Sequence, residues 1–193
     1  MFDLAPDPNE ENNIRWTSGC CKGMLFGAIS FGVVSVIAYS IWAFRLVPGR
    51  YPMWGSIAVV YLGLSSFALG QLVVKPKSTL KFFGLFALSF FLYAVCYCVF
   101  WFGLKGKFQA DLFGSFFGLL IMAALFRSAF GSTKTLLPLV SVLFTCHTLG
   151  YYLGGELHAV VPGSMGRILW GLGHGLGFGA GLGHLMYQCQ SRE

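Results

Sequence analysis

The chain has 193 residues, of which 56% are hydrophobic and only 10% charged, with a formal net charge of +6. A soluble domain carries about 25% charged residues, and Asp111 is the single acid between Glu11 and Glu156, so lipid and not water is the expected surroundings. The basic residues are scattered over short segments and form no stripe, which argues against a nucleic-acid partner.

Residues 1–22 read as a short polar segment carrying Asp3, Asp7, Glu10 and Glu11. They show no basic stretch leading into a short apolar run with a small-residue cleavage site, so no cleaved signal peptide is expected. Residues 23–190 read as one transmembrane domain. A spanning helix needs about 20 apolar residues, and six segments meet or approach that length: 24–44, 53–74, 82–104, 112–130, 136–153 and 166–187.

The punctuation between them is short. "VPGRYP" turns the chain after the first span and "KPKSTLK" after the second. Asp111 ends "KGKFQAD" as an expected N-cap for the fourth span, and Gly131 closes that span. "STKT" supplies caps for the fifth span, with Pro138 tolerated in its first turn. Gly154 and Gly155 are expected to stop the fifth span, and "VPGS" opens the sixth. The expected fold class is therefore all-α, a polytopic integral membrane protein with six transmembrane helices in an up-down bundle.

Loop charge sets the expected orientation. Arg15, Lys22, Lys75, Lys77, Lys81, Arg127, Lys134 and Arg192 lie on the side of the termini; Arg45, Arg50, Lys105, Lys107 and Arg167 lie on the other. Both termini are thus expected in the cytoplasm, with the plasma (inner) membrane as the location. Trp42, Trp54, Trp101 and Trp170 fall at helix ends on the opposite side, at the headgroup level that tryptophan prefers.

"GLGHGLGFGAGLGH", from Gly171 to His184, has glycine at every second position. In lipid its backbone must bond to itself, so a helix is expected. On a helix Gly171, Gly175, Gly179 and Gly183 spread over about 120° of one side, while Gly173, Gly177 and Gly181 lie roughly opposite. Each set is a small-xxx-small series that admits a neighbouring helix, which predicts a central sixth helix packed against the fifth. The same groove of Gly173, Gly177 and Gly181 also suits a flat ligand such as a porphyrin, quinone, carotenoid or sterol, or an oligomer contact.

The four histidines, His147, His158, His174 and His184, all lie in the last 47 residues. Counted from the span ends, His147 and His174 sit within roughly 3 Å of one depth, so adjacent antiparallel helices would bring them face to face. Intramembrane ionisable groups are functional candidates. The pair suits axial haem ligation, metal binding or a proton relay, or a plain hydrogen bond to a carbonyl or to Thr145 or Thr148. His184 falls near the inner interface without an obvious histidine partner. Glu156 and His158 in "GGELH" form a possible polar pair at the outer mouth, or are solvated loop residues.

Other features point away from catalysis. Cys96 and Cys98 project about 200° apart on a helix and cannot share an ion. Cys20, Cys21 and Cys189 face the reducing side. Cys20 and Cys21 precede the first span as free thiols or, in a eukaryotic host, acylation sites. "GLSSF" at 63–67 is not a nucleophile elbow, and phosphate-binding loops are absent from the sequence. The phenylalanine-rich third span is expected to face lipid or an apolar ligand. The leading expectation is a non-enzymatic bundle that binds a small apolar ligand or serves as a subunit of a membrane complex. A b-type haem or metal redox protein using His147 and His174, and a passive transporter or channel for a small solute, are the alternatives.

Overall fold

The computed structural model describes residues 2–5, 19–73 and 79–191. Most of the polar 1–22 segment, Val74 at the end of the second expected span, and Arg15, Lys75, Lys77 and Arg192 of the charge comparison lie outside the described residues. Among the described residues the regular elements are six helices: α1 (Cys20–Ala43), α2 (Arg50–Gly70), α3 (Thr79–Gly103), α4 (Ala110–Ala129), α5 (Leu136–Val160) and α6 (Gly163–Gln190). The protein is an all-helical bundle, and α1 to α5 are each long and apolar enough to cross a membrane. α6 is the longest helix at 28 residues, about 42 Å at 1.5 Å per residue; its glycines carry no apolar side chain and dilute its hydropathy.

Several helix ends differ from the sequence expectation, each for a local reason. α2 starts at Arg50 because Pro52 sits in its first turn, where a missing N–H costs nothing. Asp111 is not an N-cap: it lies inside the first turn of α4, behind Gln109 in the left-handed conformation, and accepts a 2.8 Å hydrogen bond from the Tyr152 hydroxyl. Thr135 occupies the N-cap position of α5 without a side-chain cap bond. α4 does end at Gly131, whose φ is +64°. There Ser132 N–H donates to the Arg127 carbonyl at 3.0 Å and Gly131 N–H to the Ser128 carbonyl at 3.2 Å, a Schellman closure. Gly154 and Gly155 do not stop α5, which runs on to Val160. Gly154 instead sits against the Trp170 backbone of α6, where a methyl group would meet Cα at 3.1 Å.

α6 lies between α1 and α5. Toward α1, Gly171 meets Tyr39, Gly175 meets Ser35, Gly179 meets Gly27 and Gly183 meets Gly23, so the two helices run in opposite senses. Toward α5, Gly173 meets Gly154, Gly177 meets Gly150 and Gly181 meets Leu143, again antiparallel. A methyl group at Gly173 would lie 2.9 Å from the Gly154 Cα, tighter than side chains tolerate. A second close approach joins α3 to α4: Gly118 and Gly114 admit Tyr93 and Tyr97, each at 2.8 Å from a would-be Cβ.

The core runs through Phe31, Phe82, Phe86, Phe126, Leu143 and Phe178, all fully buried. α3 is two-faced. Its Phe82, Leu85 and Phe86 are buried, while Phe91, Val99 and Phe102 point outward. Leu25, Ile29, Val33 and Ile37 form a similar outward apolar row on α1. Phe2 packs on Gly84, and Leu4, wholly buried, donates its N–H to the Ala129 carbonyl at 2.8 Å. Part of the 1–22 segment is therefore core, although its composition reads as polar.

Candidate functional site

Aromatic and imidazole side chains converge where α1, α2, α3, α5 and α6 meet. α1 contributes Ser35, Tyr39 and Trp42, and α2 contributes Trp54 and Tyr61. Ser35 is fully buried and its hydroxyl donates to the Gly171 carbonyl at 2.6 Å. A hydroxyl has one proton, so the short bond between Ser35 and Tyr61 has the tyrosine as donor. Gly171 and Gly175 let α1 come close enough for these bonds; the glycine run thus sets the position of Ser35 and Tyr39 as well as the helix spacing.

α5 and α6 bring His147 and His174 together. Their ring centroids are 5.2 Å apart, edge to face. Phe178 touches both rings, at 5.0 Å and 5.8 Å, and Tyr151 flanks both, at 6.2 Å and 5.9 Å. The Tyr93 hydroxyl and His147 Nε2 are 2.9 Å apart and hydrogen-bonded. His147 Nδ1, both ring nitrogens of His174 and Trp170 Nε1 are buried without a hydrogen-bond partner in the protein. An unsatisfied buried polar group costs about 1–3 kcal/mol, so four such atoms in one region mark a place where a guest with polar groups would be stabilised.

A cavity of about 290 Å³ between α1, α2, α3 and α6 is lined by two of these residues, His174 and Trp170, and by Ile57 and Ala58 of α2. Trp42, Trp54 and Trp170 wall it at one end, with ring centroids 6.4 Å and 6.1 Å from Trp42. Tyr61 and Phe90 form a further stacked wall, and His174, with two unpaired ring nitrogens, and Trp170, with one, supply its unpaired polar atoms. Concave, mostly apolar sites with a few convergent polar groups are the usual form of small-molecule pockets.

The remaining sequence candidates fall in different places. Gly173, Gly177 and Gly181 face the α5 backbone, and that groove is filled by Gly150, Gly154 and Leu143. His158 stacks on Trp170 at 5.4 Å and meets Trp42 edge-on at 6.1 Å, at the rim of the aromatic wall. Glu156 is exposed and two residues away on the same helix, roughly 200° around it. His184 is at the opposite end of α6, with Cys20 Sγ 3.1 Å from its Nδ1. All six cysteines are free thiols.

The histidine pair does not suit a haem clasped between two axial imidazoles. The rings touch directly, and a macrocycle between them would have to part α5 from α6 where Gly150 and Gly177 are in backbone contact. Among the described residues no group of three or more His, Cys, Asp or Glu side chains converges on a metal-sized site.

Ser35, Tyr39, Tyr61, Tyr93 and Tyr151 were not singled out by the sequence. A usable signal was there: these hydroxyl-bearing residues lie in otherwise apolar spans, at depths close to His147, His174 or the tryptophans. Trp42, Trp54 and Trp170 read as interface markers and are in addition walls of the cavity. These features define an all-helical bundle of membrane-protein type with an aromatic, imidazole-edged chamber. Comparison with family models, with curated proteins and with solved structures finds no match to this chain.

Proposed function

We propose that this is an integral membrane protein in which all six helices cross the bilayer as one up-down domain, and that its chamber binds a small apolar ligand carrying a hydrogen-bonding group. Support for the sixth span comes from α6 itself, which is long enough to cross and is flanked on both sides by helices that are apolar enough to do so. The contact between Cys20 at the start of α1 and His184 near the end of α6 supports placing both termini on one face. The greater count of basic residues on that face supports the cytoplasmic side.

The ligand reading is carried by His174, whose two unpaired ring nitrogens border a 290 Å³ aromatic cavity. A neutral imidazole offers one donor and one acceptor. The matching guest is a mainly apolar molecule with a hydroxyl or a carbonyl, such as a quinone or sterol, and the chemistry expected of the site is binding. The test is organic extraction and mass spectrometry of protein purified in mild detergent. Wild type is expected to release such a molecule, and both His174→Phe and Ala58→Trp, which puts an indole on a residue lining the cavity, to release much less. Equal extracts from all three proteins would end this reading.

A further inference from the structure

The second cluster of reactive side chains lies at the other end of the bundle. Cys20 begins α1, and its Sγ is 3.1 Å from His184 Nδ1, across the α1–α6 interface. Cys20 is half-buried and remains reachable, while its neighbour Cys21 is exposed. Gly23 and Gly183, which let the helices touch, hold this end of the interface closed. The N–H groups of Lys22 and Gly23 both bond the Gly19 carbonyl. Those of Cys20 and Cys21 are the first-turn donors left outside the helix's own ladder.

A thiol within hydrogen-bond reach of an imidazole is a nucleophile with a general base beside it. The surroundings select the electrophile. On the reading of α1 and α6 as spans, on which this inference rests, the pair sits at headgroup level. There an amphiphile with a fatty chain concentrates, and the outward apolar row of Leu25, Ile29 and Val33 runs from this end into the bilayer.

We propose that Cys20 is a site of S-acylation, taking the acyl group of a long-chain acyl-coenzyme A with His184 as the base. The Cys20 thiol gives its proton to His184 Nδ1 as Sγ forms a bond to the thioester carbonyl carbon. The tetrahedral oxyanion forms beside the N-terminal end of α1, whose helix dipole favours negative charge. Collapse breaks the carbon–sulfur bond to coenzyme A, and the departing thiolate takes the proton back from His184. The products are a fatty thioester on Cys20 and free coenzyme A; nothing is oxidised or reduced.

Accessibility alone would favour the more exposed Cys21. Full-length protein in detergent is incubated with an alkyne-tagged palmitoyl-coenzyme A, and the tagged site is mapped by mass spectrometry with hydroxylamine release. Cys20 is expected to be acylated at least about 10-fold faster than Cys21, and the label to survive Cys21→Ala but not Cys20→Ala. Base catalysis contributes about 10²–10⁴-fold, so His184→Ala and His184→Gln are expected to slow Cys20 labelling by about 100-fold or more. Label mainly on Cys21, label on neither thiol, or an unchanged rate in folded His184 variants would overturn the proposal. If both His184 variants lose their thermal transition, the ratio of Cys20 to Cys21 in wild type decides. Carbonate extraction of membranes tests the span reading separately, and its failure would leave the labelling result standing.

Discussion

Adding one methyl group to a helical glycine is expected to change stability with opposite sign at two positions. Gly63 lies inside α2 with nothing within 4 Å of a would-be Cβ. Alanine is favoured over glycine in a helix by about 1 kcal/mol, which for a chain of this size raises the melting temperature by about 2–4 °C. Gly179 lies inside α6, where the same methyl would strike the Gly27 carbonyl and the Phe31 Cβ. Neither neighbour is the free end of a flexible side chain, so α1 and α6 must separate. Overpacking costs about 1–3 kcal/mol and occasionally more. Taking the upper end against the same propensity gain leaves a net loss of about 2 kcal/mol, or roughly 4–8 °C. Both variants and wild type are melted in one detergent and followed by far-ultraviolet circular dichroism. A Gly179→Ala protein as stable as Gly63→Ala would refute the claim that α1 and α6 meet backbone to backbone.

Four further variants have expected outcomes in the same assay. Tyr93→Phe removes the partner of His147 Nε2 and leaves both its nitrogens unpaired, a loss of about 1–3 kcal/mol. Tyr61→Phe is milder at about 0.5–1.5 kcal/mol, because Ser35 keeps its bond to the Gly171 carbonyl; the reverse order would count against the assigned bonds. Gly131→Ala forces a side chain into the left-handed region at φ +64° and is expected to cost about 1–2 kcal/mol. Glu156→Gln, on an exposed position, is expected to stay within about 0.5 kcal/mol of wild type and to leave the extracted ligand unchanged; a lost ligand would place Glu156 in the site after all.

How far the sequence could be read depends on what each signal measures. The long apolar runs mark the helices well, because apolar length is a property of the run as a whole. Helix ends are less legible: Gly131 and Gly154 look alike in sequence, yet one closes α4 at positive φ and the other admits Trp170 within a continuing helix. The approach of His147 to His174 follows from depth arithmetic on two consecutive helices. Tyr93 could not be added that way, since it sits on α3, and which nonconsecutive helices touch is not encoded in loop length. The spacing of Gly23 and Gly27, matched to Gly183 and Gly179, was the available hint that α1 closes on α6. Read together with the position of Cys20, it places that thiol against His184.

Hydropathy is least informative for the helix on which the chamber depends. A transfer scale weighs what a helix gains by facing hydrocarbon. α6 faces α1 along one side and α5 along the other, and thirteen of its residues from Gly166 to Gln190 are buried, seven of them glycine. Contact there is made by backbone and by the side chains of its neighbours, so apolar bulk on α6 would push the bundle apart. On the proposed six-span reading, the helix most enclosed by protein is for that reason the one that looks least like a span. Its insertion should then depend on α1 and α5 being present, whereas α1 has the apolar length to insert alone.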